Sequence, residues 1–135
     1  MAELTGEQRR RYARQIGIAG IGEAGQEKLA SARVLVAGAG GLGSPVILYL
    51  AAAGVGALGV ADSDSVDISN LQRQIIHDTP HVGAHKTASA AERVAALNPD
   101  VEVVRFAQRI TADNAAALIR DYDIVVDCTD NFPVR

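Results

Sequence analysis

The chain has 135 residues and a formal net charge of −3, from 13 Lys and Arg against 16 Asp and Glu. That length is one domain's worth, and mild acidity argues against a general nucleic-acid or anionic-membrane binder. A single Cys excludes an intrachain disulfide and a Cys-built zinc site, and no apolar run is long enough for a transmembrane helix. Arg9, Arg10 and Arg11 are followed by no apolar stretch, so the N-terminus is not a secretory signal. The expected setting is soluble, reducing and cytoplasmic.

In chain order, residues 5–17 read as a helix, opened by Thr5 with Gln8 in a capping-box pattern. A short helix follows over 23–31. Arg33 to Ala37 holds Val34, Leu35 and Val36, an apolar run of the buried parallel-strand type. Gly38 to Gly43 is a glycine-rich turn. Ser44 to Ala53 is apolar all round, which predicts a helix buried on most sides, with Pro45 near its start. Ala57 to Ala61 is a second strand, closed by Asp62. A polar loop runs through Asn70, and 77–83 is irregular around Pro80. Ala84 to Leu97 is helical in composition and stops at Asn98-Pro99. A strand over 101–106, a helix over 113–120 and a fourth buried strand over 123–127 complete the pattern. Alternation of this kind predicts an α/β fold with a Rossmann-like parallel sheet and right-handed crossovers. The expectation is one domain over 1–135, with helices in 1–31 and the Rossmann-like part in 32–135. The chain ends a few residues past a strand, which suggests a truncated piece of a longer protein.

Gly38, Gly40, Gly41 and Gly43 follow a strand and open a helix. Glycines there let backbone N–H groups approach a phosphate, which a helix N-terminus also favours. Asp62 ends the second strand, where a carboxylate meets a ribose hydroxyl. Up to this point a nicotinamide dehydrogenase and an ATP-using enzyme are equally supported. The segment from Asp62 to Gln74 separates them, because it carries Asp64, Ser69, Asn70, Leu71, Gln72 and Arg73 just past that strand. A triphosphate needs such an Arg, and Lys86 can add a second cation. Asp130 and Asn131 follow the fourth strand at the carboxyl edge of the sheet, and Asp130 is well placed to hold magnesium.

Arg11-Tyr12-Ala13-Arg14-Gln15, the glycine turn, Asp62-Ser-Asp64, Ser69-Asn70-Leu71-Gln72-Arg73-Gln74, Lys86 and Thr129-Asp130-Asn131-Phe132 together resemble the ThiF/MoeB/HesA family, bacterial relatives of ubiquitin-activating enzymes. The resemblance covers essentially the whole chain, and the Ser-Asn-Leu-x-Arg-Gln block is far more specific than the glycine turn. It implies ATP-dependent adenylation of the C-terminal carboxylate of a ubiquitin-like sulfur-carrier protein. It further implies that Gly41 contacts nucleotide, Asp62 holds the ribose, and Asn70, Arg73 and Lys86 bind phosphates. Asp130 would bind Mg2+, with Asn131 beside it. Arg14 resembles the arginine that the family supplies across a homodimer to the partner's ATP.

Other residues read as structural. Arg9, Arg10 and Lys28 suit a solvated surface, Tyr12 and Phe132 suit packing, and Asp67 suits turn hydrogen bonding. His77, His81 and His85 are four apart, but Pro80 and Gly83 break the helix that would align them on a metal. Cys128, at the end of an apolar strand, reads as an inert buried thiol. No zinc is expected in this chain. Two rivals stand beside the adenylating reading: an NAD-dependent oxidoreductase, and a non-catalytic module that binds nucleotide or dimerises.

Overall fold

A computed structural model describes residues 3–130, so Asn131 and Phe132 lie outside the described residues. Four parallel strands form one sheet in the order β3-β2-β1-β4: β1 is Arg33–Ala37, β2 Ala57–Ala61, β3 Glu102–Phe106 and β4 Ile124–Asp127. The order reverses at β1, which pairs with β2 on one side and β4 on the other. In such sheets the crevice beyond the carboxyl ends of the strands at the reversal is where ligands bind.

The helices follow from the side chains they cover. Alternate residues of β1 point to opposite faces. Val34 and Val36 join Leu58, Val60, Ile47, Ala51, Ile76, Ala90 and Val94 in the larger core, against α4 (Gly43–Ala53) and α5 (Lys86–Leu97). Leu35 faces the other way, toward Ala61, Leu118, Phe106 and Tyr122 beside α6 (Ala115–Ile119). Two outward expectations fail. The apolar α4 leaves Tyr49 75% exposed, because the described residues supply nothing to cover that side. β4 is not a buried strand: Ile124 is 57% and Val125 44% exposed, because β4 pairs on one edge only.

The N-terminal segment also departs from a single helix. Thr5 and Gln8 do form the capping box, but α1 (Gly6–Arg11) ends at Tyr12 and α2 (Ala13–Ile16) begins anew. Tyr12 is turned inward to a non-helical backbone (φ −101°, ψ 14°) and buried against Gly54, at the C-terminal end of α4. Its hydroxyl accepts a hydrogen bond from Asn98 Nδ2 at 2.7 Å, and the same amide donates to the Ala51 carbonyl at 2.9 Å. Gln26, on α3 (Gly22–Ser31), donates to the Ala53 carbonyl and accepts from Gln15. The Arg-Tyr-Ala-Arg-Gln stretch therefore clamps the C-terminal ends of α4 and α5, at the sheet edge opposite the crevice. Among the described residues no helix is long and apolar enough to cross a membrane.

Asn98 is fully buried, so replacing it removes the donor from a buried hydroxyl. Asn98→Ala is expected to lower stability by about 1–3 kcal/mol in urea unfolding followed by circular dichroism. A loss below the error of extrapolation would contradict a clamp at Asn98.

Candidate functional site

The crevice at the reversal is a cavity of about 480 Å³. Its floor is the turn after β1. Gly38 has φ 101°, and a side chain there would sit 2.8 Å from the Cys128 carbonyl. A Cβ on Gly43 would come within 1.9 Å of the Gly38 carbonyl oxygen. These two positions need glycine so that the turn can fold under the start of α4 and beside the residues after β4. Ser44, fully buried, donates through both its backbone N–H and its hydroxyl to the Gly40 carbonyl.

Asp62, at the end of β2, accepts from the Ala39 N–H at 2.9 Å and from the Asp64 N–H at 2.8 Å. Each carboxylate oxygen accepts one N–H and keeps a further lone pair, and Asp62 lines the cavity, so a ligand hydroxyl can donate to it. The loop from 65 to 85 then leaves the sheet and returns. Its neck is closed by a short antiparallel pairing of Ser65 with His85, by Val66 N–H to Ala84 carbonyl, and by Lys86 N–H to Asp64 carbonyl. That closure brings Asp62, Arg73 and Lys86 to one cavity although 24 positions separate the first from the last. Lys86 is 6% exposed, and its ammonium has no carboxylate partner among the described residues. A mostly buried, unpaired cation in a concave site is the signature of an anionic ligand.

Gly38, Gly40, Gly41, Asp62, Asp64, Arg73, Lys86 and Asp130 all line the cavity. Ser69, Asn70, Leu71 and Gln72 do not line it in this state. Ser69 and Asn70 instead build the loop: Asp67 caps the 3-10 turn Ile68–Asn70, and the Asn70 side chain accepts from the Asp67 N–H. The Ser69 carbonyl accepts from Arg73 Nη1 at 3.2 Å and so orients the guanidinium. Gly43 shapes the turn without lining the cavity. Arg14 is exposed on α2, at the opposite edge of the sheet, and is not part of this cavity.

Residues outside the sequence-derived set also enter. Arg109 and Ile110 line the cavity from the segment after β3, beyond Asp62 on the side away from the glycine turn. Their place past a strand's carboxyl end was the available signal. Gln74 lines the cavity at 5% exposure, and its Oε1 has no hydrogen-bond partner among the described residues. Cys128 lines it too, with burial pushing its thiol pKa up, further raised by Asp127; this disfavours a nucleophilic thiolate. The three histidines do not converge. His77 is buried between Ala39 and Ser89, while the ring of His81 lies between the carboxylates of Asp78 and Glu92. Among the described residues no cluster of three or more His, Cys, Asp or Glu is arranged for a metal.

The ThiF family profile matches residues 12–135. A sulfur carrier protein adenylyltransferase of Thermus thermophilus is 50% identical over 131 residues, covering 97% of this chain and 48% of that protein. An adenylyltransferase and sulfurtransferase, MOCS3, of Bos taurus is 50% identical over 134 residues, covering 99% of this chain and 30% of its own length. Among solved structures, E. coli tRNA N6-threonylcarbamoyladenosine dehydratase, TcdA, in complex with ATP superposes with a TM-score of 0.91 at 30% identity, covering 99% of this chain and 54% of that one. The chain thus spans about half, or less, of the length of these relatives.

The far end of the 65–85 loop is tied to α5 through His81. The hydrogen bond to Glu92 and then that to Asp78 raise the His81 pKa above its usual value. A raised histidine pKa gives a contribution to stability that is full below the usual value near pH 6.5 and is lost as pH rises through the raised one. In an NMR titration, His81 is expected to titrate later than an ordinary histidine, and Glu92→Gln to bring it back down. An unshifted His81 would contradict the tie.

Proposed function

The chain belongs to the ThiF family, and from that premise we propose that it forms the nucleotide-binding part of an enzyme that adenylates the C-terminal carboxylate of a ubiquitin-like sulfur-carrier protein. The observation that carries the reading is the convergence of Arg73 and unpaired Lys86 on the cavity that the glycine turn lines. A dehydrogenase would need the turn and Asp62 but would leave these two cations without work.

In this reading the phosphates of ATP lie over the turn, beside Arg73 and Lys86, and the ribose donates to Asp62. The base extends past Asp62 toward Arg109 and Ile110. The carrier's carboxylate oxygen attacks the α-phosphorus, a new P–O bond forms, and the bond to the bridging oxygen of the β-phosphate breaks. Acyl-adenylate and pyrophosphate result. No side-chain nucleophile is needed; the protein positions reactants and neutralises growing charge on the leaving group. Mg2+ suits the site, since it takes one or two carboxylates and shares phosphate oxygens. Asp130 would supply the carboxylate, Asn131 would lie beside the nucleotide, and Mg2+ would offset phosphate charge.

Arg14 works on a second copy's nucleotide in this reading. Tyr12 and Gln15 fix α2 at the sheet edge opposite the cavity, so Arg14 cannot serve its own site without unfolding that clamp. Leu48, Tyr49, Ala52, Ile75, Arg93 and Leu97 line an apolar groove between the outer sides of α4 and α5. In this proposal a second copy packs over the groove, covers the exposed Tyr49 and presents its own Arg14 to the crevice. The sulfur carrier, the homodimer and a cytoplasmic setting all belong to this proposal.

Arg73→Ala is expected to weaken MgATP binding by about 1–3 kcal/mol in calorimetry, the range of a charge-assisted contact. Unchanged affinity would remove Arg73 from the site. Arg14→Ala is expected to lower turnover in ATP–pyrophosphate exchange, measured with the carrier and a dimeric enzyme, while leaving MgATP affinity intact. Equal losses in both would contradict a role confined to the transition state.

A further inference from the structure

His77 is neither in the sequence-derived site nor on the cavity wall, yet it touches the turn that forms the floor. Its ring is 4% exposed. One ring nitrogen, Nε2, lies 2.8 Å from the Ala39 carbonyl oxygen, and the other, Nδ1, lies 2.7 Å from Ser89 Oγ on α5. A carbonyl oxygen can only accept, so Nε2 carries the proton. In the neutral ring Nδ1 must then accept, and the Ser89 hydroxyl donates to it.

This contact fixes the direction of one peptide plane. In a planar trans peptide the C=O and the following N–H point in opposite directions. With the Ala39 carbonyl drawn inward to His77, the Gly40 N–H is aimed outward, into the cavity that Gly40 lines. On the other flank, the Ala39 N–H is held by Asp62. The Gly40 carbonyl is capped by Ser44. Among the described residues, the Gly40 and Gly41 N–H groups donate to nothing in the chain.

Resting on the nucleotide reading above, we propose that His77 is a positioning residue: its Nε2–H clamps the Ala39 carbonyl and so presets the Gly40 N–H as a phosphate donor. A donor fixed before the ligand arrives avoids the reorientation that binding would otherwise require. The groups around the ring favour the neutral form. Burial lowers the His77 pKa most; Lys86 on α5 and His81 on the same loop lower it further, against the Ala39 hydrogen bond and Asp62, which raise it.

The test compares the unsubstituted chain with His77→Gln and His77→Phe. The Gln amide reaches the place of Nε2 and can donate to Ala39, whereas Phe keeps the ring's bulk and donates nothing. Calorimetry with MgATP is expected to give His77→Gln an affinity within about threefold of the unsubstituted chain, and His77→Phe one weaker by about tenfold or more, the loss of one charge-assisted contact. Equal weakening by both variants overturns the clamp, since that is what a purely structural side chain would give. So does unchanged binding by His77→Phe.

Nitrogen-15 NMR on the unsubstituted chain reads the clamp without any substitution, should His77→Phe fail to fold. The expected spectrum at about pH 8, above the ordinary histidine pKa, is a neutral ring protonated at Nε2. Protonation at Nδ1, with MgATP bound normally, overturns the clamp alone. Absence of MgATP binding with the Nε2–H ring intact overturns the nucleotide reading, and the role of His77 in it, but leaves the Ala39 contact standing.

Discussion

One constraint organises this end of the molecule: a tight turn must show its N–H groups to solvent while hiding its carbonyls. Buried carbonyls need donors, and two in the middle of this turn have them. Ala39 receives His77, and Gly40 receives Ser44. Glycine at 38 and 43 lets the two ends of the turn approach within contact distance, and the first turn of α4 adds its own unsatisfied N–H groups. The result is a preformed rim whose Gly40 and Gly41 N–H groups find no acceptor among the described residues.

Everything else in the cavity is placed against that rim. Asp62 joins the turn to the end of β2. The neck at 64–66 and 83–86 folds a long excursion back on itself, so that Arg73 arrives from the loop and Lys86 from the first turn of α5. Neither cation finds a carboxylate among the described residues. Lys86 is held desolvated, which is costly unless an anion binds, while Arg73 reaches the same cavity from the exposed loop. The N-terminal clamp of Tyr12, Gln15 and Asn98 does the opposite work at the far edge, where it fixes the exposed Arg14 well away from its own cavity.

Much of this was legible in the sequence because it is local. The apolar runs of β1 and β2, the glycine turn and the Thr5 capping box each depend on neighbours within a few residues. Arg73, Lys86 and Asp62 were found by motif, and the structure brings all three to one cavity. What escaped depends on distant partners. The break at Tyr12 is set by Gly54 and Asn98, and no pattern inside 5–17 encodes them. The exposure of β4 and Tyr49 follows from which elements lie beside them, not from their own composition. Asn70 and Ser69 carry a binding motif yet hold a turn together here. His77 had spacing suggestive of a metal ligand with His81 and His85, and its contact with Ala39, 38 positions away, is a property of the fold alone.

The central claim is that the turn's own backbone receives an anionic nucleotide. Backbone amide NMR of the chain, titrated separately with MgATP and with NAD, addresses it most directly. The account predicts that MgATP shifts the Gly40 and Gly41 amide resonances far more than those of the α6 side of the sheet, and that NAD leaves them nearly unmoved. Shifts at the two glycines with NAD alone, or MgATP shifts confined to residues away from the turn, would contradict it.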